Sequence, residues 1–246
     1  MNLPLFFISD SHIGMKIDSN ELKRREKLFS VLDKIKASKG TLIIGGDFFD
    51  FWFDFNQAVP DCYKDVFKKL EGLKKEGIEI HYIAGNHDYW DFGCFESRFA
   101  KFFHKRDLII DDFNCKILVT HGDGLLKDDY SYRFMKKIIR SKIFITFFKL
   151  LSNKIGYKIG GKISNTSKDY HHFDDRSIEI KKEMKEFAIK KWKEQFDVIL
   201  MGHYHQKEIV EGNSSKKLIF LGDWLKHFNV TKFDGQNWSQ FSWNEL

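Results

Sequence analysis

Cysteine and proline are scarce in this chain of 246 residues: Cys62, Cys94, Cys115, Pro4 and Pro60 are all there are. The three cysteines are odd in number, widely spaced and without a CxxC pair. That argues against a disulfide framework or a structural zinc site and for reduced thiols, as in a cytoplasmic protein. No window approaches about 18 uncharged apolar residues, so no membrane-spanning helix is expected. The apolar start, Met1 to Ile8, lacks a basic leader and a small-residue cleavage site. It runs directly into Asp10 and reads as a first strand, not a signal peptide.

What is present is an ordinary globular composition with one unusual segment. The net charge is +6, yet residues 133–163 hold nine Lys or Arg and no Asp or Glu, against 32 basic and 35 acidic residues elsewhere. A local basic patch points to phosphate: a membrane surface, a lipid head group or a nucleic acid. The aromatics of this segment sit in apolar runs and not among stacking positions in a basic groove, which disfavours nucleic acid. No obligate protein partner is evident.

The first 120 residues alternate short apolar runs with amphipathic stretches. Leu5–Ile8, Thr41–Ile44, Ile78–Ile83 and Lys116–Thr120 read as strands. Leu22, Leu28, Phe29, Leu32 and Ile35, then Tyr63, Val66, Phe67, Leu70 and Leu73, recur at helical spacing. This alternation predicts an α/β fold with a largely parallel central sheet. Two helical stretches, about 128–139 and 142–159, then break the rhythm, followed by Gly160-Gly161. They read as a helical lid insertion, about 125–168, in a single domain spanning 1–246. A long helix from about Arg176 to Gln195, strands at Val198–Met201 and Leu218–Leu221, and a hairpin of Asn229–Phe233 and Trp238–Trp243 turning at Asp234-Gly235 complete the chain.

Polar motifs follow the strands. Asp10-Ser11-His12 comes after the first and Gly46-Asp47-Phe48-Phe49-Asp50 after the second. Gly85-Asn86-His87-Asp88, His121-Gly122-Asp123 and Gly202-His203-Tyr204-His205 follow the next three. Carboxyl ends of strands form the functional crevice of open α/β sheets. Any one of these triplets alone is ordinary loop chemistry; five in order bring Asp, Asn and His to one rim. Imidazole with carboxylate suits Mn, Fe or Zn. A carboxylate such as Asp47 can bridge two ions about 3.5–4 Å apart, which activate water and clamp an in-line displacement at phosphorus.

The ordered set resembles the calcineurin-like metallophosphoesterase superfamily, with its D-x-H, G-D-x-x-D, G-N-H-D/E, H-G and G-H-x-H motifs over residues 10–205. The resemblance implies a central β-sandwich flanked by helices. It implies that Asp10, His12, Asp47 and His205 hold one metal, and Asp47, Asn86, His121 and His203 the other. His87 would lie outside the metal shell, as the group that stabilises phosphoryl charge or protonates the leaving oxygen. Asp88 would orient its ring, and Asp50 would support the ligands from behind.

Phe49-Asp50-Phe51-Trp52-Phe53 with Val59-Pro60, His121-Gly122-Asp123-Gly124-Leu125 with Asp128-Asp129 and Tyr132-Arg133, and Gly222-Asp223-Trp224 look like UDP-2,3-diacylglucosamine hydrolases. That resemblance implies manganese-dependent cleavage of a pyrophosphate to UMP and 2,3-diacylglucosamine 1-phosphate (lipid X), toward lipid A, by metal-activated hydroxide. The substrate contacts it suggests are Asn86, His87, Asp129, Tyr132, Ser167, Lys168 and His203. One branch of that family has Arg where this chain has His87, and Leu is common where Ser11 stands. The insertion offers apolar residues (Phe134, Ile138, Ile143, Phe147) beside its cations. That suits a diacyl substrate and a peripheral seat on the cytoplasmic face of the inner membrane. A metallophosphoesterase for another phosphoester, nucleotide or phosphoprotein, is the alternative. A scaffold that has lost catalysis would lack some of these ligands.

Overall fold

The strand residues alternate between two faces, and a computed structural model, which describes residues 1–163, 173 and 175–246, shows what each face buries. Two mixed sheets stack on each other. The first has the order β11-β10-β1-β2-β3-β4. In it β1 (Leu5–Ile8), β2 (Thr41–Ile44), β3 (Ile80–Ile83) and β4 (Phe102–His104) run parallel. The hairpin of β10 (Asn229–Phe233) and β11 (Trp238–Ser242) adds antiparallel to β1. The second sheet has the order β5-β6-β7-β9-β8. Here β6 (Cys115–Thr120), β7 (Val198–Met201) and β9 (Lys217–Leu221) are parallel, edged by antiparallel β5 (Leu108–Asp112) and β8 (Lys207–Glu211).

Leu5, Phe7, Ile43 and Ile83 of the first sheet meet Ile117, Val119, Val198 and Leu200 of the second in the central core. On the outer face of the first sheet, Phe6, Ile8, Leu42, Ile44 and Tyr82 are covered by Leu28, Leu32 and Ile35 of α1 (Ser19–Ser38) and by Val66, Phe67 and Leu70 of α2 (Lys64–Lys75). On the outer face of the second, Ile180, Met184 and Ala188 of the long helix Ser177–Lys193 cover Leu118, Ile199 and Phe220. The two stacked sheets are the helix-flanked sandwich that the motif resemblance implies, where alternation alone suggested a largely parallel central sheet. A strand buried on both faces reads the same whether helices or a second sheet cover it. Edge strands β4, β5 and β8 escaped notice because they are short or carry charged, half-exposed residues.

Past the short helix α3 (Cys94–Arg98), the described residues of the insertion form three helices where two were expected: α4 (Tyr130–Ile139), α5 (Lys142–Lys149) and α6 (Asn153–Ile163). The second expected stretch breaks at Leu150–Ser152, where the Ser152 carbonyl and hydroxyl accept from Gly156 N and Ile155 N and start a new helix. Ile139, Ile145, Phe148, Leu151 and Tyr157 pack down on Phe51, Phe53, Phe55 and Trp90. Gly156 and Gly160 let α6 lie against the Phe55 and Phe51 rings, which a Cβ at either position would strike. Asp123 ties α4 down: its Oδ2 accepts from Tyr132 Oη at 2.7 Å, Lys136 Nζ at 2.6 Å and Arg140 Nη2 at 3.2 Å.

Candidate dinuclear metal site

The five motif loops leave the carboxyl ends of β1, β2, β3, β6 and β7, which are parallel within their sheets and end on one rim. Beyond the strands the first two loops remain paired: Asp10 N donates to the Gly46 carbonyl, His12 N to Asp47 and Ile13 N to Phe48. Both Asp10 carboxylate oxygens accept from His203 N at 3.0 Å, joining a loop of the first sheet to one of the second. Asp47 Oδ1 accepts from His87 N at 2.8 Å. The backbone at Asp10, His12, Asp47, His203 and His205 is left-handed, with φ from 41° to 65°. Non-glycine residues so placed carry strain that concentrates at functional sites. Gly85 admits the Asp47 carboxylate against its bare Cα, a space any Cβ would fill.

Among the described residues three sets of potential ligand atoms gather, each within 4.8 Å: Asp10, His12 and His205; His12, Asp47 and His87; Asp47, His121 and His203. Asp47 belongs to two of them. Asn86 joins the last, with Oδ1 3.1 Å from His121 Nε2, which is also 3.2 Å from Asp47 Oδ2. His121 Nδ1 donates to the Gly45 carbonyl at 2.9 Å, so its Nε2 lone pair faces two further oxygen acceptors. Three lone pairs converging in a buried place repel unless a proton or cation sits among them. Burial opposes charge on His121, but Asp47 holds a proton there and raises its pKa to about 10, standing where a cation would. Burial lowers His203 to about 3 and His205 to about 4, with His12 also well below its usual value. Three neutral imidazoles are thus available as ligands. Burial, with Asp47 nearby, raises Asp10 to about 8. Both His12 ring nitrogens lack a hydrogen bond among the described residues. The donor set fits a pair of divalent cations.

A cleft of about 180 Å³ opens over this cluster, and His12, Asp47, Asn86, His87, His203 and His205 line its floor. Asp129 and Tyr132, expected as substrate contacts, also line it; Ser167 and Lys168 lie outside the described residues. Asp88 does not take the role expected of it. His87 Nδ1 donates instead to the Asp50 backbone carbonyl at 2.6 Å. The Asp88 carboxylate points inward, accepting from Gly85 N, Phe48 N and Tyr82 Oη, and staples two ligand loops together. Sequence reasoning missed Phe173 and Arg176 in the cleft wall. It also missed Arg24 of α1, which donates to the carbonyls of Ser11, His12 and Trp224 behind the first loop. The spacing of helical and loop residues far from the motifs carries no signal for such contacts.

The family described as calcineurin-like phosphoesterase matches residues 3–207. A UDP-2,3-diacylglucosamine hydrolase of Histophilus somni is 31% identical over 220 residues, covering 89% of this chain and 91% of that protein. The protein of the same name in Porphyromonas gingivalis is 23% identical, covering 96% and 95%. Among solved structures, vacuolar protein sorting 29 of Cryptosporidium parvum superposes with a TM-score of 0.45 at 14% identity, covering 97% of each chain.

Proposed function

This chain belongs to the calcineurin-like phosphoesterase family of metal-dependent phosphoesterases, and from that premise we propose that it hydrolyses UDP-2,3-diacylglucosamine to UMP and 2,3-diacylglucosamine 1-phosphate, using manganese. The observation that carries the reading is one cleft lined both by the candidate metal ligands and by Leu126, Asp129 and Tyr132, where an insertion that is apolar and basic further on begins. The relatives named for that activity support it along nearly their whole length.

Asp10, His12, Asp47 and His205 would hold one ion, and Asp47, Asn86, His121 and His203 the other. Bound there, two divalent ions supply an activated water and neutralise charge at phosphorus. The chain does the rest. Gly45 fixes the His121 tautomer, and Asp10 locks the His203 loop in place. The Asp50 carbonyl accepts a hydrogen bond from His87 Nδ1–H, and His87 Nε2 would hold a proton for the phosphoryl oxygens or the leaving group. Asp129 and Tyr132 on the lid side, with Ser167 and Lys168, would contact the rest of the substrate.

No helix among the described residues is long and apolar enough to cross a membrane. The lid instead turns Ile143, Phe147 and Leu150 outward, 73%, 68% and 78% exposed, beside Lys142 and Lys149. Apolar side chains ringed by cations suit the acyl boundary and anionic head groups of the cytoplasmic leaflet. The test of the substrate is UMP release from UDP-2,3-diacylglucosamine by purified protein with Mn²⁺, beside bis(p-nitrophenyl) phosphate. UMP release abolished by chelator and restored by Mn²⁺ is the expected result. Cleavage of the generic diester without UMP release would assign the site to another phosphoester.

A further inference from the structure

The cleft has a second wall that no metal ligand forms. Leu126, Asp129, Tyr132, Phe173 and Arg176 stand across from the floor residues. Phe173 is half-buried, its ring centroid 5.2 Å from that of His203 and 5.9 Å from that of His205, so it borders the candidate ligands directly. Arg176 is held at two corners: Nε donates to Glu179 Oε2 and Nη2 to Asp128 Oδ2, each at 2.9 Å.

The chemistry of this wall is unlike that of a phosphate clamp. Two carboxylates offset the single charge of Arg176 and fix the plane of its guanidinium, while Asp129 adds a further acidic group. A diphosphate would gain little attraction here. A flat, uncharged ring gains from both an aromatic ring and a guanidinium plane, which stack on π-systems. A carboxylate beside them is an acceptor for hydroxyl donors. Acyl chains have no π-face and gain no such stacking here.

We propose that Phe173 and Arg176 form a stacking wall for the base of a uridine nucleotide, with Asp129 accepting from the ribose hydroxyls. This deepens the nucleotide-lipid reading above and rests on it. The wall sets the nucleoside half of the substrate beside His203 and His205, and it discriminates UMP from a phosphate ester that has the same sugar and no base.

The experiment is calorimetric titration of the Mn²⁺-loaded protein with UMP, ribose 5-phosphate and inorganic phosphate. It compares the unaltered chain with Phe173→Leu, which keeps apolar packing but removes the π-face, and Arg176→Ala. UMP should bind tighter than ribose 5-phosphate. Each variant should lose about ten-fold or more of that preference, the scale of one lost base stack, with phosphate binding unchanged. Equal binding of UMP and ribose 5-phosphate by the unaltered chain, or a preference kept by both variants, would overturn the wall. The substrate reading is judged separately: a protein that releases UMP from the lipid but shows no base preference loses the wall alone. One that shows the preference, loses it in the variants and releases no UMP keeps the wall and loses the lipid.

Discussion

At His87 two hydrogen bonds decide the role of the ring. Its backbone N–H is given to Asp47 and its Nδ1–H to the Asp50 carbonyl, and its Nε2 lies 3.9 Å from Asp47 Oδ2. That atom also falls in a ligand-sized cluster with His12 and Asp47, so proximity by itself would allow a ligand. We assign it to phosphoryl charge and proton transfer. His87→Ala should lower kcat by roughly 10²–10⁴, the range for general acid–base groups, while elemental analysis finds the metal content of the unaltered chain. Loss of an ion in that variant would make His87 a ligand instead. The residues read as ligands stood out because Asp, Asn and His gather in short polar motifs just past the ends of buried strands, most of them beside a glycine. Asp88 shows the limit. Adjacency in sequence suggested a partner for the His87 ring, but its carboxylate turns inward, where burial first and then Asp47 raise its pKa to about 6. The positions of Arg24, Phe173 and Arg176 follow from how the helix and loops fold back, which no spacing encodes.

Among the elements, the strands bearing the motifs were readable because runs such as Leu5–Ile8 and Val198–Met201 are wholly buried. Their division into two sheets was not readable from burial, which looks alike under a helix or a sheet; the ordered motifs supplied it, through the sandwich that the family resemblance implies. The lid was visible as a mixture of apolar and basic residues; its break at Ser152 rests on a local cap that competes with helix continuation. The lid's two faces now have separate tasks. Phe148 and Leu151 pack inward on Phe51 and Phe53, while Ile143 and Phe147 point out. Ile143→Glu with Phe147→Glu should therefore abolish flotation of the protein with vesicles containing anionic lipid, and leave its melting temperature near that of the unaltered chain. Undiminished flotation of the double variant would remove this face from the membrane proposal.

Over the whole molecule, charge and layers are arranged around one rim. Four layers, helix, sheet, sheet and helix, bring the ends of five parallel strands from two sheets together. The basic lid, residues 133–163, reaches that rim through Arg140, which donates to the Gly85 carbonyl, while the remainder of the chain is slightly acidic. Neither sheet alone could build the site: Asp10, Asp47 and Asn86 come from one, His121 and His203 from the other. The hydrogen bond from His203 N to Asp10 crosses between them. These loops together offer a place for two ions sharing Asp47. The most direct test is a metal titration of the chelator-stripped protein with Mn²⁺, followed by calorimetry and elemental analysis, beside His205→Ala and His121→Ala. Two ions per chain are expected at saturation, with weakened binding of one ion in each variant. Saturation of the unaltered chain at a single ion, or two ions held undiminished in both variants, would contradict this.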